Sequence, residues 1–142
     1  MTQISLAQAN IIVAAAFEKG RELGLKPLTV VVMDAGGHMI ALQRQDGASI
    51  LRPQIAGGKA GGALALGVSS RAIGEMAAER PLFIASLGPI APQGIVPAAG
   101  GVIVVDGDGL TIGAVGITGD TSDNDELCSL AGIAAAGLKA KA

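Results

Sequence analysis

The chain has 142 residues, half of them apolar, with a mean hydropathy of +0.55, 15% charged residues and a formal net charge of -2. No uninterrupted apolar run approaches the roughly 18 to 20 residues that span a bilayer, so no membrane is expected, and the apolar surplus points to surface buried in a homo-oligomer. Phe17 and Phe83 are the only aromatics, and no basic face stands out, which counts against nucleic-acid binding.

The length suits a single domain, residues 1–142, with a core of Val, Ile, Leu and Ala. Cys128 is the only cysteine, so no intramolecular disulfide forms. The start, MTQISLAQAN, lacks the charged onset and long apolar centre of a signal peptide, and the cytoplasm is the expected compartment.

Ser5 to Gly24 reads as a helix. Ser5 and Gln8 fit a capping box, and Gly24 is a C-terminal stop. Pro27 opens an extended, β-branched run from Leu28 to Met33. Asp34-Ala35-Gly36-Gly37 is a hairpin turn signal, and His38 to Gln43 is the returning strand. Ser49 is the expected cap of a second helix over 50–66, which carries Gly57, Gly58, Gly61 and Gly62. Each glycine costs a helix about 1 kcal/mol relative to alanine, so four of them imply close packing against another backbone. Ser69 or Ser70 caps a shorter helix over 71–79. Residues 82–100, with Pro89, Pro92 and Pro97, read as a long loop. Gly101 to Val105 and Leu110 to Ile117 form a second hairpin around Asp106-Gly107-Asp108-Gly109. A last helix runs from Thr121 or Ser122 to Gly137, leaving a short KAKA tail. Strands in hairpins with helices grouped between them predict an α+β fold, an antiparallel sheet covered by helices.

Four segments together carry a family resemblance: TVVVMDAGGHMIALQRQDGAS (29–49), RPQIAGGKA (52–60), VPAAGGVIVV (96–105) and IGAVGITGDTSDNDE (112–126). In content and order they resemble the GlcG/HbpS family, also called the haem-degrading or PduO C-terminal-like family, over nearly the whole chain. The resemblance implies a profilin-like central antiparallel β-sheet flanked by helices, assembly into homo-oligomers, and haem as a ligand class.

Several side chains are candidates for chemistry. His38, the only histidine, is either an axial haem ligand, as the resemblance implies, or a polar residue on the outward face of a hairpin. Asp34 suits bonding to turn amides. Arg52 and Lys59 are seven apart, two helical turns, and so share one face of the second helix. There they suit clamping a carboxylate or a haem propionate, or form a solvated stripe or an interface ion pair. Asp120, Asp123, Asp125 and Glu126 crowd the start of the last helix. Carboxylates there stabilise the helix by about 0.3 to 1 kcal/mol each. Asp125 and Glu126 are the candidates for moving a proton or holding a cation. Gly100, Gly101 and Gly119 would let a ligand approach the backbone. Neither a phosphate-binding loop nor a dinucleotide fingerprint is present. Two functions follow. One is a homo-oligomeric small-molecule-binding protein, with haem as the implied ligand. The other is a small cofactor-independent enzyme of tautomerase, deaminase or hydrolase type acting on a small organic acid. In either, function lies where Asp125 and Glu126 meet Arg52 and Lys59.

Overall fold

The computed structural model describes residues 2–142. Helix α1 (Leu6–Leu23) starts at the expected capping box: the Ser5 hydroxyl accepts from the Gln8 N–H, and the Gln8 side chain accepts from the Ser5 N–H. It stops at Gly24, whose left-handed backbone turns the chain out of the helix. Strands β1 (Thr29–Asp34) and β2 (Met39–Arg44) form the first hairpin. Helices α2 (Arg52–Leu66), α3 (Ser70–Glu79) and α4 (Pro81–Leu87) follow, then β3 (Gly101–Val105), β4 (Thr111–Thr118), α5 (Ser122–Ala135) and β5 (Lys139–Ala140).

The sheet order is β2-β1-β4-β3-β5, and every pairing is antiparallel. This is the α+β, profilin-like arrangement expected. α1 and α5 pack together on one face. Ile12, Val13 and Ala16 of α1 and Cys128 and Ile133 of α5 enclose Val30, Val32, Val102, Val104, Val115 and Ile117 of the strands. The alternate residues Val31, Met33 and Ala114 face Ala56 and Ala60 of α2 on the other side, and Ala63 meets Ile103 and Val105. Side-chain alternation in the three central strands thus fills two cores from one sheet, which explains why they read as continuous apolar runs.

Glycine sets how closely α2 approaches. A Cβ at Gly116 would strike the Ala56 carbonyl, and one at Gly101 the Lys59 carbonyl, so α2 lies directly on the sheet backbone. Three glycines of α2 itself serve its other side. Gly58, Gly61 and Gly62 pack against Val96, Gln93 and Ile95, an irregular segment that closes over the helix. No helix among the described residues is long and apolar enough to cross a membrane.

Three expectations are corrected. Ser49 does not cap α2. Leu51 is the N-cap with no side-chain bond, and the Ser49 hydroxyl accepts instead from Arg52 Nε at 3.2 Å. The stretch 82–100 is not all loop, because Pro81 starts α4 and a short 3-10 turn follows over Gly88–Ile90. Proline at the first helical position has no N–H to waste, so here it opens a helix rather than breaking one. The tail contributes β5, which pairs with β3.

Candidate functional site

The junction between β4 and α5 is built from the chain's shortest polar side chains. Gly119 follows β4 with φ of 148°, and a Cβ there would meet the Pro27 carbonyl. Asp120 then ties three backbone segments together. Its Oδ1 accepts from the Lys26 N–H at 3.1 Å, and its Oδ2 accepts from the Thr121 N–H at 2.8 Å and the Asn124 amide at 2.9 Å. These bonds favour the charged form, the Asn124 bond most, and hold its carboxyl at about 2. Thr121 is the cap of α5, accepting from the Asn124 N–H. The position where a capping box would carry an acid is therefore Asn124, and neither Asp125 nor Glu126 fills that role.

Asp125 turns inward. Its Oδ1 accepts from the Asp120 N–H at 3.0 Å, and its Oδ2 lies 3.1 Å from Lys59 Nζ. Lys59 Nζ also donates to the Ile117 carbonyl at 3.0 Å. The two side chains are 3% and 1% exposed, so this ion pair is sealed inside the subunit and joins α2, β4 and α5. Burial pushes the Lys59 ammonium down and the Asp125 carboxyl up, and their mutual attraction opposes both shifts.

The candidate glycines belong to the same construction. Gly100, with φ of 130°, lies over the Lys59 side chain and against the Ile117 carbonyl, and its own carbonyl accepts from the Ser129 hydroxyl at 2.7 Å. The Ser70 hydroxyl accepts from the Gly101 N–H at 2.7 Å. A protein chain, rather than a ligand, occupies the space that the missing side chains leave at Gly100, Gly101 and Gly119. Cys128 lies beneath them, buried, its thiol pushed up to about 11 chiefly by burial.

The expected meeting of four residues is half realised. Asp125 reaches Lys59, but Glu126 does not reach either cation of α2. It pairs with Arg71 of α3 at 3.1 Å, and Asp123 joins the same guanidinium. Arg71 escaped notice in the sequence because nothing local marks it; its partners lie 52 and 55 residues away. Arg52 lies on the same side of α2 as Lys59. Its Nη1 donates to the Thr118 hydroxyl at 2.8 Å, and it has no carboxylate partner among the described residues.

His38 stands apart from that junction. Asp34 bonds the turn as expected, its Oδ1 accepting from the Gly36 N–H at 2.9 Å and the His38 N–H at 3.0 Å, and these bonds hold its carboxyl below the usual range. The same oxygen lies 3.3 Å from His38 Nδ1, and the imidazole side chain is 82% exposed. The next residue, Met39, lines an open groove of about 230 Å³ with Leu42, Pro53, Gln54, Pro92 and Gln93. The far wall of that groove thus begins one residue after Arg52. No group of three or more His, Cys, Asp and Glu side chains placed to hold a metal occurs among the described residues.

A family model described as "Haem degrading protein HbpS-like" matches residues 4–134. The chain belongs to the HbpS-like family. Among solved structures, the fold is similar to that in a crystal structure of a PduOC:haem complex, with a TM-score of 0.87 and 22% identity over 99% of this chain and 100% of that one. Protein ORFY of Klebsiella pneumoniae gives 0.84 and 28% over 96% and 93%. A double mutant of Streptomyces reticuli HbpS gives 0.80 and 27% over 94% and 87%. None of the curated proteins matches the chain in sequence.

Proposed function

We propose that this protein is a homo-oligomeric small-molecule-binding protein whose ligand is haem, with His38 as the residue that would hold its iron. The observation that carries the reading is the groove between Met39 and Pro53, bordered in sequence by the only imidazole and by the unpaired Arg52. The donor set suits the group. His38 Nδ1 lies 3.3 Å from the Asp34 carboxylate, and Nε2 has no protein partner among the described residues. Bound there, haem would supply a redox-active iron. His38 would hold it, Asp34 would fix the ring, and Met39, Leu42 and Pro53 would cover part of the macrocycle.

Self-association rests on apolar side chains that the subunit leaves uncovered. Ile50, Leu82 and Ile90 are each more than three-quarters exposed. The enzyme alternative asks Asp125 or Glu126 to move a proton on a substrate. Asp125 is sealed with Lys59 and Glu126 is engaged by Arg71, so the binding reading has the better support.

Haemin titration followed by absorbance tests the proposal. The native protein should shift the Soret band with saturation, and His38→Ala should lose the shift while keeping its circular dichroism. An unshifted band in the native protein removes haem, and an identical shift in His38→Ala removes His38 as the ligand.

A further inference from the structure

The start of α2 holds an arrangement that neither core explains. Arg52 is half-buried and oriented from two sides, its Nε donating to the Ser49 hydroxyl at 3.2 Å and its Nη1 to the Thr118 hydroxyl at 2.8 Å. The two cations described above have acids: Lys59 has Asp125, and Arg71 has Asp123 and Glu126. Arg52 has hydroxyls only. Two hydroxyls fix the guanidinium without neutralising it, and they leave its Nη2 edge without a protein acceptor among the described residues.

A second, independent oddity lies beside it. The Thr29 hydroxyl is buried, in a residue 0% exposed, and has no protein hydrogen-bond partner among the described residues. Thr29 is paired in register with Thr118, so both side chains project from the same face of the sheet, into the polar corner where Arg52 grips Thr118. A buried hydroxyl without a protein partner is a net cost to the fold, on general grounds, which an ordered water or a ligand oxygen offsets. The first turn of α2 adds its own positive end, because no side chain caps it. The rim is apolar: Ile50 is 85% and Leu51 59% exposed, and Pro53 opens the adjoining groove.

A fixed cation, an orphaned buried hydroxyl and an uncapped helix start surrounded by exposed aliphatic side chains describe a receptor for one kind of group. We propose that Arg52, with Thr118 and Thr29 behind it, seats the carboxylate of a ligand whose remaining body is apolar. The guanidinium binds the carboxylate edge-on through two parallel N–H bonds, and Ile50 and Leu51 cover the body of the ligand. Lys59 is not part of this seat, since Asp125 and the Ile117 carbonyl already occupy its ammonium. The inference deepens the haem reading, because a haem propionate is one such carboxylate; a free aliphatic acid is another.

Three probes separate these sources: haemin, haemin dimethyl ester and hexanoate, each titrated against the native protein, Arg52→Gln and Thr29→Val. If the seat takes a propionate, the native protein binds haemin more tightly than the ester, and Arg52→Gln weakens haemin at least roughly tenfold while leaving the ester unchanged. If it takes a free acid, hexanoate binds the native protein and Arg52→Gln loses it, whether or not haemin binds. Thr29→Val keeps the shape and removes the orphaned hydroxyl. It should therefore melt no lower than the native protein without ligand, and yet bind the carboxylate more weakly. Haemin and ester binding equally well to the native protein and to Arg52→Gln, with no Arg52-dependent hexanoate binding, would overturn the seat and leave the haem reading standing. Arg52-dependent hexanoate binding with no haemin binding would keep the seat and remove haem.

Discussion

Asp125 and Glu126 are neighbours in sequence, yet one is sealed with Lys59 inside the subunit and the other holds Arg71 at its surface. The difference arises from helical geometry. Successive residues of α5 point about 100° apart, so Asp125 faces the sheet with Cys128 and Ser129, while Glu126 and Asp123 face α3. The two pairs share charge and chemistry but not dielectric. Taken out of water, a lone charge is expensive, and Lys59 and Asp125 are tolerable only together. At the surface, water screens each partner, and the pair contributes little. Burial, and not the presence of an ion pair, decides what a carboxylate at this junction does for the protein.

The largest expected effect comes from splitting the buried pair. Asp125→Asn leaves Lys59 charged and uncompensated against the Ile117 carbonyl, and urea unfolding should show a loss of about 3 to 5 kcal/mol. The double substitution Lys59→Met with Asp125→Leu removes both charges and fills the space, and should recover most of that loss. If the single substitution is as mild as a surface change, the pair is hydrated in solution and the contrast with Glu126 disappears.

The sequence carried the frame of this junction but not its wiring. Local signals were legible because they act over a few residues: Ser5 with Gln8 starts α1, Thr121 caps α5, and Asp34 bonds the turn amides two and four residues on. The position of Arg52 and Lys59 on one face of α2 followed from spacing alone. Their partners did not, because Lys59 and Asp125 are 66 residues apart, as are Arg52 and Thr118. Such distances are set by how α2 lies on the sheet, and that depends on Gly116 and Gly101 admitting the helix backbone. The glycines were visible, but what they admit was not. The same density of proline and glycine hid α4, where Pro81 begins a helix instead of ending one. Functionally, the four-residue cluster resolves into two structural ion pairs and one cation, Arg52, without an acid among the described residues.

Between the two extremes lies Asp120, partly buried and bound to the Lys26 and Thr121 amides and to Asn124. Its carboxyl is held at about 2 in the folded protein, against 3.8 for the unperturbed group. A depressed folded value means that the unfolded chain takes up the proton first. The stabilisation is therefore fully present above about pH 4 and is lost as the pH falls toward 2. Unfolding free energies measured across that window should decline by on the order of 1 kcal/mol more in the native protein than in Asp120→Asn, which has no carboxyl to protonate. Parallel declines in the two proteins would show that Asp120 gains nothing from its three bonds and behaves like a surface acid.

The smallest effect belongs to Glu126, and it is the sharper test because it must be small. Arg71 is 45% exposed and Glu126 21%, and Asp123 still holds the guanidinium when Glu126 is neutralised. Bonds to both acids push the Arg71 guanidinium up, but that shift lies on a group that is charged at every pH of interest and says nothing about stability near neutrality. Glu126→Gln should cost at most about 1 kcal/mol, and added salt should shrink the difference because solvent ions screen an exposed pair. The Asp125→Asn loss should resist salt, since ions do not reach a pair sealed at 3% and 1% exposure. If the two variants respond to salt alike, the sealed pair opens to solvent in solution, and Asp125 becomes available to a ligand after all.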